Sequence, residues 1–164
     1  MKNNLVLIGM PGCGKTSAGK MAAAALGFEC IDTDALIETK AGKPIPQIFA
    51  ESGEAGFRRI EKEVVFSLAG VKNAVICTGG GVVTDPENVA VLRRTGKVCW
   101  IMRPVSELAS GGIRPLSKSP QAIAEMYEKR KDLYRNAAEY TVSNTSAVPL
   151  ENVVREIIGG FNEN

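Results

Sequence analysis

Leu5-Val-Leu-Ile-Gly9-Met-Pro-Gly-Cys-Gly-Lys15-Thr16-Ser17 carries the chain from a short apolar run, through a glycine-rich turn, to a lysine and two hydroxyl side chains. Residues 9–16 match the pattern G-x-x-x-x-G-K-S/T, and both flanks suit it. The run before has the composition of a buried strand, and the alanine-rich stretch Lys15–Leu26 after it reads as a helix. Glycines are needed in such a loop because successive backbone N–H groups turn inward around phosphate oxygens, where a Cβ would obstruct them. Lys15 brings positive charge to the β- and γ-phosphates of a nucleotide. The Thr16 hydroxyl ligates Mg²⁺, and the helix starting there adds its positive dipole end. The pattern alone does not separate a kinase from an ATPase, a GTPase or a passive nucleotide binder.

Further apolar runs rich in valine and isoleucine recur at Phe28–Ile31, Ala74–Cys77, Val98–Met102 and Tyr140–Val142, with the look of strands buried on both faces. Helical stretches at Gly53–Ala69, Pro86–Arg94, Pro120–Tyr134 and Leu150–Ile158 separate them, several introduced by proline or followed by glycine. Alternation of this kind predicts an α/β fold with a five-stranded parallel sheet sandwiched by helices. At 164 residues the chain has room for a single domain, 1–164. Ser110–Ser119, glycine-rich and charged, reads as a mobile lid loop.

Lysine and arginine number 20 against 18 acids, a net charge of +2, which gives no global field to hold nucleic acid or a membrane surface. No apolar stretch reaches membrane-spanning length, and the first residues leave no room for a signal sequence, so a cytoplasmic protein is expected. Cys13, Cys30, Cys77 and Cys99 are widely separated and there is no histidine, which excludes a zinc set and the usual catalytic triads. The last three cysteines, in apolar runs, read as small buried hydrophobes. Acid–base work falls to carboxylates, lysine or water.

Asp32-Thr33-Asp34 follows the second apolar run, placing two carboxylates at the carboxyl end of a strand, where open α/β sheets bind ligands. One could serve a metal through its bound waters and the other a substrate hydroxyl; alternatively, Asp34 simply caps a helix opening at Ala35. Arg58 and Glu61 stand one turn apart, either as a carboxylate holding a guanidinium ready for an anionic ligand or as a surface ion pair. Gly79-Gly80-Gly81 after the third run is either a plain turn or a floor against which a small substrate lies. A lid carrying Arg114 suits phosphoryl transfer, since closure excludes water and brings positive charge to the transferring group.

Taken in order, G-x-x-G-x-G-K-T, D-T-D, G-E-x-x-F-R-x-x-E, G-G-G, R-P-L and L-Y-R, over about residues 5 to 158, resemble the shikimate kinase family, whose P-loop fold is of the nucleoside-monophosphate-kinase-like type. The resemblance implies transfer of the γ-phosphoryl group of ATP, with Mg²⁺, to the 3-hydroxyl of shikimate, in aromatic amino acid biosynthesis. It implies that Gly12, Cys13, Gly14, Lys15, Thr16 and Ser17 hold ATP, with Arg114 as lid arginine. Thr16 and, through water, Asp32 would serve the metal. Asp34, Arg58, Arg135 and the run Gly79, Gly80, Gly81 would bind shikimate, the two arginines gripping its carboxylate and Asp34 acting as base. Lys15, Asp34 and Arg114 would be the catalytic set, in a chain expected to be a monomer. The family's two adenine-side arginines are replaced within Ser106–Ser110 and Asn144–Pro149, and the lid is short. The rival readings are a gluconate-type or other small-metabolite kinase, and a binding module without turnover.

Overall fold

The structure is a computed structural model that describes residues 2–108, 116 and 119–163. The five apolar runs become five parallel strands, β1 (Leu5–Ile8), β2 (Glu29–Asp32), β3 (Ala74–Cys77), β4 (Lys97–Met102) and β5 (Tyr140–Ser143), in the order β2-β3-β1-β4-β5. The helices are α1 (Lys15–Leu26), α2 (Thr33–Ala41), α3 (Ile45–Ser67), α4 (Pro86–Thr95), α5 (Pro120–Ala137) and α6 (Leu150–Asn162). The anticipated lid falls outside the described residues except for Leu116 and Ser119, whose side chain caps α5 by accepting from the Ala122 N–H at 3.0 Å.

β1 is the central strand. It pairs with β3 on one side, Val6 opposite Ile76, and with β4 on the other, Val6 opposite Val98, and all four of its residues are fully buried. Trimming such a side chain to alanine costs about 2–5 kcal/mol, so the sheet centre is a rigid base for whatever its ends carry. Because the chain leaves β1 toward β2 and β3 first and β4 later, the carboxyl end of β1 is a switch point, where a crevice opens. Asn4 ties the opposite end together. It is buried, its Nδ2 donates to the carbonyls of Val71 (2.6 Å) and Thr95 (2.9 Å), and its Oδ1 accepts from the Ala74 N–H at 3.0 Å.

Two features differ from expectation. β2 lies at the sheet edge and is only partly covered, so Cys30 is exposed, whereas Cys77 and Cys99 are buried as expected and Cys13 of the glycine loop is buried too. The apolar run does not reveal which strand ends at an edge. The helix expected from Gly53 starts well upstream at Ile45, with Gly53 (φ 67°, ψ −174°) as the kink that joins its two halves. α2 and the two halves of α3 bury a small apolar cluster of their own, Ile37, Ile48, Phe57 and Val64, apart from the main core. No helix among the described residues is long and apolar enough to cross a membrane.

Candidate active site

The crevice at the carboxyl ends of β1, β2 and β3 is a cavity of about 690 Å³, walled by the glycine loop after β1, the Asp32–Asp34 stretch, both halves of α3, the glycine run and one face of α5. Gly12, Gly14, Lys15, Thr16 and Ser17 line its phosphate side. Gly14 has φ 101°, and a Cβ there would come within 2.5 Å of the Asn144 amide, so only glycine closes this turn. Cys13 is held rather than presented. Its thiol is buried, its N–H donates to the Met10 carbonyl (3.1 Å) and its own carbonyl accepts from Asn144 Nδ2 (2.8 Å). Lys15 folds back over the loop, Nζ donating to the carbonyls of Gly9 (2.7 Å) and Met10 (2.9 Å), within a short swing of the cavity it lines.

Each member of Asp32-Thr33-Asp34 has a separate task. Asp32 caps α2, its Oδ1 accepting from the N–H of Asp34 (2.9 Å) and of Ala35 (3.4 Å). The cap is therefore not Asp34, which sits in the first turn of α2 and faces the cavity. Thr33, fully buried, accepts the Gly79 N–H on its Oγ1 at 3.1 Å and so fixes the glycine run to the start of α2.

Arg58 and Glu61 form an inward-facing pair. Glu61 is completely buried, its Oε1 accepts from Arg58 Nη1 at 2.8 Å, and Glu54 on the outer side accepts from Nη2 at 3.4 Å. The glycine run leaves room for these groups. A Cβ on Gly81 would meet Arg58 Nη2 at 2.2 Å, and one on Gly79 would meet Asp34 Oδ1 at 2.9 Å and Glu61 Oε2 at 3.2 Å. Burial, with Asp32 nearby, pushes the Asp34 carboxyl above the ordinary range, and Lys15 and Arg58 pull it back in part. Burial also raises Glu61, against the pull of Arg58. Its Oε2 has no hydrogen-bond partner among the described residues.

Arg135 is not brought to this site. It lies on the outer face of α5, paired with Asp132 at 2.5 Å and 61% exposed. The arginine of α5 that lines the cavity is Arg130, 7% exposed, one turn before the buried Tyr134. Its signal is present in the sequence. Arg130 falls on the stripe Ile123, Met126, Tyr134, Ala137 that α5 buries, and a charge on a buried stripe needs a reason. Arg114 lies outside the described residues.

Thr16 and Asp32 line the cavity together, and the cap leaves one Asp32 oxygen for a metal-bound water. Among the described residues no cluster of three acidic or thiol side chains could hold a metal by itself. That donor set suits Mg²⁺, which keeps several waters and takes the rest of its shell from phosphates.

A family model described as shikimate kinase matches residues 11–160. A shikimate kinase of Moorella thermoacetica is 40% identical over 163 residues, 96% of this chain and 93% of that one, and one of Clostridium botulinum (strain Eklund 17B / Type B) is 42% identical over 161 residues, 96% of each. Among solved structures, shikimate kinase from Acinetobacter baumannii in complex with shikimate superposes with a TM-score of 0.89 at 34% identity, covering 96% of this chain and 92% of that one.

Proposed function

The chain belongs to the shikimate kinase family, and we propose that it moves the γ-phosphoryl group of ATP to the 3-hydroxyl of shikimate through the residues gathered in this cavity. The observation that carries the reading is the placement of Asp34, Arg58 and Arg130 across one cavity from Lys15 and Thr16. A small acceptor with one carboxylate and several hydroxyls matches that wall: two guanidinium forks for the carboxylate, one carboxylate for a hydroxyl, and a glycine floor without side chains.

On this reading Lys15 leaves the carbonyls of Gly9 and Met10 for the β- and γ-phosphates, and the loop N–H groups cradle the remaining oxygens. Glu61 holds the Arg58 fork open toward the acceptor, and Arg130 closes on the carboxylate from α5. Asp34 accepts the proton of the acceptor hydroxyl. Its raised pKa makes it a better proton acceptor than an ordinary carboxylate. Thr16 and, through water, Asp32 would hold Mg²⁺, which when bound neutralises charge on the transferring phosphoryl group. Arg114 would add positive charge from a lid at about 110–119, and the chain would act as a single kinase domain, monomeric and cytoplasmic. ADP release should be measured with Mg-ATP and shikimate, gluconate or nucleoside monophosphates offered separately. Turnover with shikimate alone is expected. Preference for gluconate would favour the other small-metabolite kinase, and no turnover from folded protein would leave only a binding module.

A further inference from the structure

Among the described residues Tyr134 is the one aromatic side chain buried without remainder, yet its polar end does not face the core. Its ring stacks on Trp100 of β4, with centroids 5.7 Å apart and planes 24° apart, and this fixes the direction of the phenol. The hydroxyl then donates to the Gly80 carbonyl at 2.5 Å, beside the Met10 sulfur at 3.7 Å. Arg130, one turn earlier on the same buried stripe of α5, lies near the phenol, and its positive charge acts on it. The hydroxyl thus meets the glycine floor at Gly80 and the phosphate loop at Met10, with the cavity-lining arginine close by. Gly80 presses on the loop as well, since a Cβ there would come within 2.6 Å of the Pro11 ring.

We propose that the Tyr134 hydroxyl is a positioning group for the acceptor, setting the height of the glycine floor and the aim of Arg130 together. Its chemistry fits a fixed donor. Burial pushes the phenol up to about 12, so it keeps its proton throughout the working range and always offers it to the Gly80 carbonyl. Without the hydroxyl, Gly80 loses the contact that holds its carbonyl toward α5, and Arg130 loses the oxygen that limits its swing. The nucleotide side keeps its own supports in Asn144 and the loop backbone. The acceptor should therefore suffer while ATP does not.

This inference rests on shikimate being the acceptor, and the experiment separates the two. Tyr134→Phe removes the oxygen and keeps the ring, and the fluorescence of the single tryptophan, Trp100, reports whether the stack survives. Shikimate binding is measured by calorimetry on wild type, Tyr134→Phe, Arg130→Ala and the double variant, and KM for shikimate and for ATP by steady-state kinetics. The expected result is shikimate affinity about tenfold weaker in Tyr134→Phe with KM for ATP within about twofold. In the double variant the loss should be smaller than the product of the two single losses, because one group acts partly through the other. Unchanged shikimate affinity, equal losses on both substrates, or fully multiplicative losses would each overturn the positioning role. Wild type that binds no shikimate would remove the acceptor assignment itself, and this inference with it.

Discussion

The two walls of the cavity are built on different principles. The wall proposed to hold the phosphates comes from one unbroken stretch, Gly9 to Ser17, and presents mainly backbone N–H groups and a helix end. The wall proposed to hold the acceptor is assembled from Asp34 on α2, Arg58 and Glu61 on α3, Gly79–Gly81 after β3 and Arg130 on α5, and presents mainly side chains. The loop wall grows out of β1, the most buried strand, whereas α2 and α3 rest on their own small apolar cluster, which spans the Gly53 kink. A phosphate can be gripped by any chain that makes the loop. A particular acceptor requires distant segments to meet.

The sharpest test of that division is Asp34→Asn, which should lower kcat by about 10³-fold, or about 4 kcal/mol, with KM for ATP little changed. It should not lower thermal stability. Folding raises the Asp34 pKa, so the native state binds this proton more readily than the unfolded chain, and the ionised carboxylate is a cost that grows as pH rises through the raised value. The stability difference between Asp34→Asn and wild type should therefore shift in favour of the variant as pH rises through that window. In wild type, kcat/KM should fall on the acid side at a pH above the ordinary aspartate range. A midpoint at or below about 3.9 would remove the desolvated base from the account.

Next in size is the contrast within α5. Arg130→Ala should raise KM for shikimate about 10- to 100-fold, as expected for losing a charged hydrogen-bonding group from a buried wall. Arg135→Ala should leave it within about twofold, because its ion pair with Asp132 is in water. The opposite ranking would mean that α5 presents another face in the working enzyme. On the phosphate side, Asn144→Ala should raise KM for ATP about threefold to tenfold by freeing the Cys13 carbonyl, with shikimate affinity unchanged. The smallest effect concerns thiols. A thiol reagent should label Cys30 on the edge strand in the native protein. Cys77 and Cys99, both buried with their pKa values pushed up, Cys99 to about 12, should react only on unfolding.

The same division explains what could be read from the sequence. The phosphate loop, the five strands and most helix starts are legible because each is a local pattern whose neighbours in sequence are its neighbours in space. Asp34, Arg58 and the glycine run could be singled out because each stands at a strand end or opens a helix. What their companions do could not. Thr33 is an ordinary residue until β3 brings Gly79 against it. α2 buries only Thr33 and Ile37, so its helical period is faint. Arg135 drew attention through its place after Leu133-Tyr134, but five residues along a helix is roughly 140° around it from Arg130, and the buried stripe decides which of the two faces inward. Cys30 looked buried because an apolar run does not say which strand ends at the edge.

The account stands on the two walls serving one reaction, in which the acceptor hydroxyl and not water receives the phosphoryl group. Phosphorus NMR of a reaction containing Mg-ATP and shikimate tests this directly. A new phosphomonoester resonance should grow in step with ADP, depend on shikimate and be absent with Asp34→Asn. Growth of inorganic phosphate alone, at the same rate with or without shikimate, would contradict it.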